Sequence, residues 1–127
     1  MTIPEETEKV ATQIVDAAFS VHSTLGPGLL ESVYEQCLAF EFSERGLRFE
    51  RQLVLPIKYK EHEIDSGLRL DFLIDDSVVV EIKAVECLVP VHTAQLLTYL
   101  KLSGHRLGFL INFNASLIKH GIRRYVM

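Results

Sequence analysis

Leu68–Val85, LRLDFLIDDSVVVEIKAV, reads as two strands joined by a tight turn. Leu68, Leu70, Phe72 and Ile74 are apolar at period two, as are Val78, Val80, Ile82 and Ala84. Side chains alternate faces along a strand, so each set is expected on one face. If both sets meet the same core, the register is fixed. A three-residue loop, Asp75-Asp76-Ser77, sets Ile74 against Val78, Phe72 against Val80 and Leu70 against Ile82. The opposite face then carries Asp71 across from Glu81, with Lys83 two residues along. A two-residue loop would place Phe72 opposite Val79 and mix Glu81 into the apolar layer. Two opposed carboxylates repel. A proton, the Lys83 ammonium or a divalent cation offsets that cost, and hard oxygen donors of this kind suit Mg²⁺ or Mn²⁺. An exposed strand face with ordinary charges is the plainer alternative.

Outward from this hairpin, the chain has 127 residues, a length that suits one domain over residues 1–127. Hydrophobic residues make up 48% and charged residues 24%, the balance of a folded water-exposed domain. No apolar run approaches a membrane span, and MTIPEETEKV lacks a basic-then-apolar signal pattern. Cys37 and Cys87 lack metal-ligand spacing and read as reduced thiols, so a cytoplasmic location is expected, away from membranes. A net charge of −4 excludes a generic basic nucleic-acid binder. Eight acids and one base fall in residues 1–44, against nine acids and twelve bases in residues 45–127, which leaves room for a local basic surface.

Helical periodicity covers Thr7 to about Thr24, where Val10, Ile14, Ala17, Ala18, Val21 and Leu25 form a stripe. His22 reads as a surface or helix-end histidine. After Gly26-Pro27-Gly28 a second helix is expected over Leu29–Arg45, stopped by Gly46, with Leu30, Val33, Cys37, Leu38 and Phe42 buried. Glu31, Tyr34, Glu35 and Leu38 share a face of it. Glu31 sits in the first turn, where the helix dipole favours a carboxylate for purely structural reasons as well as functional ones. A tyrosine at the position of Tyr34 is more often core than site.

Phe49–Tyr59 reads as a strand, and Pro56 marks it as an edge or a bulge. Glu61-His62-Glu63 is the expected turn, with Ile64–Gly67 leading into the hairpin. Pro90 starts a helix to about Leu102, with Leu96, Leu97 and Leu100 on its apolar side and His92, Gln95 and Tyr99 on another. Arg106–Asn112 is an apolar, central strand. Leu117–Val126 adds a last strand, with Lys119, His120, Arg123 and Arg124 forming a basic end. The order is helix, helix, strand, hairpin, helix, strand, strand: α/β, with helices covering a mixed, twisted sheet.

Gly28-Leu29-Leu30-Glu31-Ser32-Val33-Tyr34 resembles the signature of the GxxExxY proteins. That family is similar to the PD-(D/E)xK nuclease superfamily, in particular its RecB-like branch. The superfamily pattern corresponds to Asp71 and then Glu81-Ile82-Lys83, and the branch's Gln-x-x-x-Tyr motif to Gln95 and Tyr99. Leu70 stands where the superfamily's name has proline. The resemblance spans nearly the whole chain. It implies a restriction-endonuclease-like core and a Mg²⁺- or Mn²⁺-dependent nuclease, with DNA ahead of RNA as substrate. Asp71, Glu81 and the Ile82 carbonyl would hold the metal, and Glu31 would add a carboxylate. Lys83 would orient the attacking water or stabilise developing charge. Gln95 would act in catalysis, and Tyr34, His92 and Tyr99 would position substrate. A chain this small has little surface for sequence-specific recognition, so a homodimer or a partner protein is expected. Two other readings compete: a non-catalytic binding module for nucleic acid or protein with a vestigial site, and, ranked last, a structural domain with a fortuitous charge cluster.

Overall fold

A computed structural model describes residues 2–127. The elements run α1 (Glu5–Leu25), α2 (Glu31–Glu44), β1 (Phe49–Tyr59), β2 (His62–Ile74), β3 (Val78–Lys83), α3 (Pro90–Ser103), β4 (Leu107–Asn112), a short 3-10 turn (Ile118–His120) and β5 (Ile122–Val126). The sheet order is β1-β2-β3-β4-β5. The β3/β4 pair is parallel, joined through α3, and the other three pairs are antiparallel.

Both faces of the sheet are covered. Phe72, Ile74, Val78, Val80, Ile82, Phe109 and Ile111 meet Ile14, Ala18, Tyr34 and Phe42 from α1 and α2. On the other side Leu73, Val79 and Leu110 meet Leu96 and Leu100 of α3. Burial on both faces explains why β3 and β4 are apolar without interruption at their first residues. The α3 helix comes close to the sheet over Gly108, where an added Cβ would lie 3.1 Å from methyl carbons of Leu96 and Leu100.

The central hairpin has the expected register, with Ile74 opposite Val78 and Phe72 opposite Val80. Asp75 and Asp76 both adopt left-handed conformations in its loop, with φ of 53° and 51°. Aspartate tolerates that region better than most residues. The Ser77 N–H closes the turn on the Ile74 carbonyl at 3.0 Å.

One part of the hairpin reading is corrected. Leu68 and Leu70 do not share a face with Phe72 and Ile74; they pack with Leu73 on the α3 side. Leu70 is paired with Leu53 of β1, and no Leu70/Ile82 pair forms. The β1 strand changes face at the same level. Phe49 packs with the α1/α2 cluster, while Leu53, Leu55 and Ile57 pack with the α3 cluster. The reversal lies at Gln52 and Asp71, between the pairs Arg51/Phe72 and Leu53/Leu70. Gln52 has φ +49° there. A left-handed residue inside a strand breaks the period-two rule, so strict alternation could not carry across it.

Smaller differences follow from tertiary packing. The turn after β1 falls at Lys60-Glu61, so β2 starts at His62 and runs 13 residues. Leu30 precedes α2 and is 76% exposed, and Tyr34, Leu38, Ala39 and Phe42 form that helix's buried side. His22 is buried, with Nε2 2.7 Å from the Ala115 carbonyl. Pro56 lies on an edge strand where the register shifts between Leu55 and Ile57, as its missing N–H requires.

Gly108→Val should force α3 off the sheet. Overpacking of this kind costs about 1–3 kcal/mol. Urea denaturation should show that loss; unchanged stability would mean that α3 is not held by its close approach to Gly108.

Candidate active site

The site forms where β2 and β3 part company. Their ladder runs from Ile74/Val78 to Phe72/Val80 and then ends, because β3 continues along β4 to Lys83 while β2 continues along β1. Side chains fill the opening. Asp71 Oδ2 accepts the Ile82 N–H at 2.8 Å, and the Asp71 N–H donates to Glu81 Oε1 at 3.1 Å. Each carboxylate thus replaces a ladder acceptor of the facing strand. Both are buried, with only 9% of Asp71 and 4% of Glu81 exposed. That removes the alternative of an ordinary solvated strand face.

Burial pushes the Glu81 carboxyl up to about 9, with further upward contributions from the Asp71 charge and a side-chain hydrogen bond to Asp71. The Asp71 backbone N–H and the Lys83 charge pull the other way. In the metal-free chain the pair therefore keeps a proton at neutral pH, which is how two adjacent buried carboxylates avoid full repulsion. Glu31, the first residue of α2, is also raised, first by loss of hydration and then by the Asp71 charge, with Lys83 and Arg69 opposing. It stands within electrostatic reach of Asp71 and Lys83. Among the described residues, however, no three His, Cys, Asp or Glu side chains are closed into a metal-holding group.

Lys83 ends β3 beside the pair, and its Nζ donates to Gln95 Oε1 at 3.0 Å. The Gln95 Nε2 donates in turn to the Tyr99 hydroxyl at 3.1 Å. This three-residue chain anchors the ammonium to α3. The Lys83 carbonyl accepts the Phe113 N–H at 2.9 Å, and Asn112 clamps both the N–H and the carbonyl of Val85. The backbone leaving β3 is thereby fixed from Lys83 to Val85.

A family model of the PD-(D/E)XK nuclease superfamily matches residues 8–125. The chain belongs to that superfamily. No curated protein and no solved structure matches it. Its five-stranded mixed sheet with flanking helices is the restriction-endonuclease-like fold of the superfamily. Membership implies phosphodiester hydrolysis on nucleic acid, and nucleases of this superfamily typically use divalent metal ions. The residues fit such an ion chemically: two buried carboxylates lie together, and the proton that burial keeps on Glu81 sits where a hard divalent cation could replace it.

One sequence-derived candidate of this PD-(D/E)XK chain acts elsewhere than expected. Tyr34 is fully buried, so its expected contact with substrate is corrected. Its hydroxyl donates to the Gly26 carbonyl at 2.6 Å and accepts the Leu29 N–H at 3.1 Å, and its ring stacks on Phe113 at 4.7 Å. Tyr34 therefore pins the turn that presents Glu31. Gly28, at φ +102°, lets that turn reach the Asn114 Oδ1 through its N–H at 2.9 Å. The His92 Nδ1 accepts the Val89 N–H at 3.1 Å and closes the start of α3, where that donor lacks an intrahelical partner.

Sequence reasoning missed three residues of the site. The Gln52 Nε2 lies 3.3 Å from Asp71 Oδ1 and 2.6 Å from Glu35 Oε1, and Glu35 Oε2 accepts Arg51 Nη2 at 2.9 Å and Nε at 3.3 Å. The placement of Glu35 one turn after Glu31 was a usable signal; Gln52 gave none, since it looks like any outward polar residue of a strand.

The raised Glu81 group makes a signed prediction for the chelator-treated protein. Between the ordinary carboxylate value near 4.5 and about 9, the folded chain holds a proton that the unfolded chain has released. Stability should therefore be full below that window and fall as pH rises through it, by at most ~1.4 kcal/mol per pH unit. Glu81→Gln should flatten the slope and match or exceed wild-type stability near pH 8. Denaturant titrations across pH test this; a slope that survives in Glu81→Gln would assign the proton to another group.

Proposed function

We propose that this chain, read as a single domain over residues 1–127, is a metal-dependent nuclease that hydrolyses phosphodiester bonds, DNA ahead of RNA. The reading rests chiefly on one observation: Asp71 and Glu81 are buried together where β2 leaves β3, with Lys83 tethered beside them through Gln95. The Gly28–Tyr34 motif supports placing the chain in the GxxExxY branch. Asp71, Glu81 and the Ile82 carbonyl would hold Mg²⁺ or Mn²⁺, with Glu31 supplying a further oxygen from α2. When bound, such an ion supplies charge neutralisation at the phosphate and a more acidic water.

The chain's own residues then have separate tasks. Asp71 keeps one oxygen on the Ile82 N–H, which orients its remaining lone pairs. Glu81 must release its proton on loading, so metal affinity rises with pH. The Lys83 ammonium, fixed by Gln95 and Tyr99, faces charge that develops on the phosphate oxygens or orients the attacking water. Arg69, on β2 within electrostatic reach of Glu31, offers positive charge for a phosphate backbone. The reading includes action in the cytoplasm, with a homodimer or partner protein extending the contact surface. Among the described residues no helix is long and apolar enough to cross a membrane.

The competing reading is a non-catalytic module that binds nucleic acid or protein. It is favoured by one observation: the three acids are not closed into a metal-holding group. Purified protein with single- and double-stranded DNA and RNA, in Mg²⁺ and in Ca²⁺, separates the two. Wild type should cut at least one substrate in Mg²⁺. Asp71→Asn and Glu81→Gln should abolish cleavage without rescue by Mn²⁺. Lys83→Ala should keep the fold and bind in Ca²⁺ as wild type does, while cleavage falls about 100- to 1,000-fold, as expected for loss of one transition-state electrostatic group. Tight binding without cleavage by wild type would establish the module.

A further inference from the structure

Gln52 holds the backbone and the side chain of the site's entry strand at once. Among the described residues it is the one non-glycine residue in a left-handed conformation within a strand interior, since Lys60, Asp75 and Asp76 lie at turns. It lies across from Asp71, between the pairs Arg51/Phe72 and Leu53/Leu70, where both strands exchange faces. Its amide nitrogen faces two carboxylates, Glu35 at 2.6 Å and Asp71 at 3.3 Å. The opposite amide orientation would set an oxygen against both acids, so the donor assignment follows from charge.

The far side of this contact is fixed. Arg51 grips Glu35 Oε2 with two nitrogens, leaving Oε1 for Gln52. Glu35 projects from α2 one turn beyond Glu31 and would otherwise be a fourth acid near the pair. Asp71 is then held from both sides, by Gln52 on Oδ1 and the Ile82 N–H on Oδ2.

We propose that Gln52 is a positioning residue for the metal site. It aims the Asp71 carboxylate and, with Arg51, keeps Glu35 turned away from the ion. This inference rests on the metal-dependent reading above. The strained backbone supplies a discriminating test, because glycine relieves a left-handed φ while deleting the amide. Gln52→Gly should melt no lower than wild type, yet bind Mn²⁺ about 10- to 100-fold more weakly, the usual cost of losing a group that orients a metal ligand. Gln52→Asn tolerates the same backbone but is one methylene shorter, and should show the same loss of affinity.

The experiment is calorimetric titration of Mn²⁺ into wild type and the two variants of the 127-residue chain, with thermal melts without metal and cleavage assays alongside. Weaker Mn²⁺ binding at unchanged or higher stability supports the inference; a merely structural role would move stability and affinity together, and that outcome overturns it. Equal Mn²⁺ affinity in wild type and Gln52→Gly also overturns it. If wild type binds Mn²⁺ but cuts nothing, the nuclease reading fails while the affinity comparison still decides the role of Gln52. If wild type binds no Mn²⁺, both fail.

Discussion

The parting of β2 from β3 at Asp71 governs the rest of the molecule. A strand can keep one antiparallel partner on each side only while both run alongside it. Here β3 stays with β4 in a parallel pair and β2 stays with β1, so a wedge opens between β2 and β3. Backbone groups left in such a wedge must find partners, because buried donors and acceptors without them are costly. Asp71 and Glu81 supply those partners with their carboxylates. The chemistry of the site and the satisfaction of the sheet are therefore the same set of hydrogen bonds.

That arrangement sets up an electrostatic conflict. Two buried acids in contact cannot both ionise freely, and the single lysine beside them is shared with Gln95. A proton on Glu81 resolves the conflict in the free chain. The burial that makes these acids expensive also excludes water and strengthens any interaction with a phosphate. Burial and charge consequently pull on the same residues in opposite directions.

The helices serve this wedge from both faces. Tyr34, Gly28 and Asn114 fix the turn that delivers Glu31, while α3 lies close over Gly108 and carries Gln95 and Tyr99 to the lysine. The turn from β4 ties these together: Phe113 stacks on Tyr34 and donates its N–H to the Lys83 carbonyl. One short segment thus connects the helix that holds Glu31 with the strand end that holds Lys83.

The sequence by itself determined the elements, their order and the hairpin register beside its loop. Each is written in local chemistry: the period of the apolar residues, Pro90 at a helix start, Gly46 and Gly104 at helix ends, and a Asp-Asp-Ser loop that tolerates left-handed backbone. It also brought Asp71, Glu81, Lys83, Gln95 and Tyr99 into view, through spacing and family resemblance. Only the tertiary structure decided that both faces of the sheet are buried, that β1 and β2 reverse faces at Gln52 and Asp71, and that Glu35, Arg51 and Gln52 brace the site. It likewise moved Tyr34 from substrate to turn. The physical reason is that alternation reports which side chains avoid water, not which of two cores receives them. A strained residue such as Gln52 is set by contacts with α2 and Asp71, far away in the chain, and leaves no periodic trace.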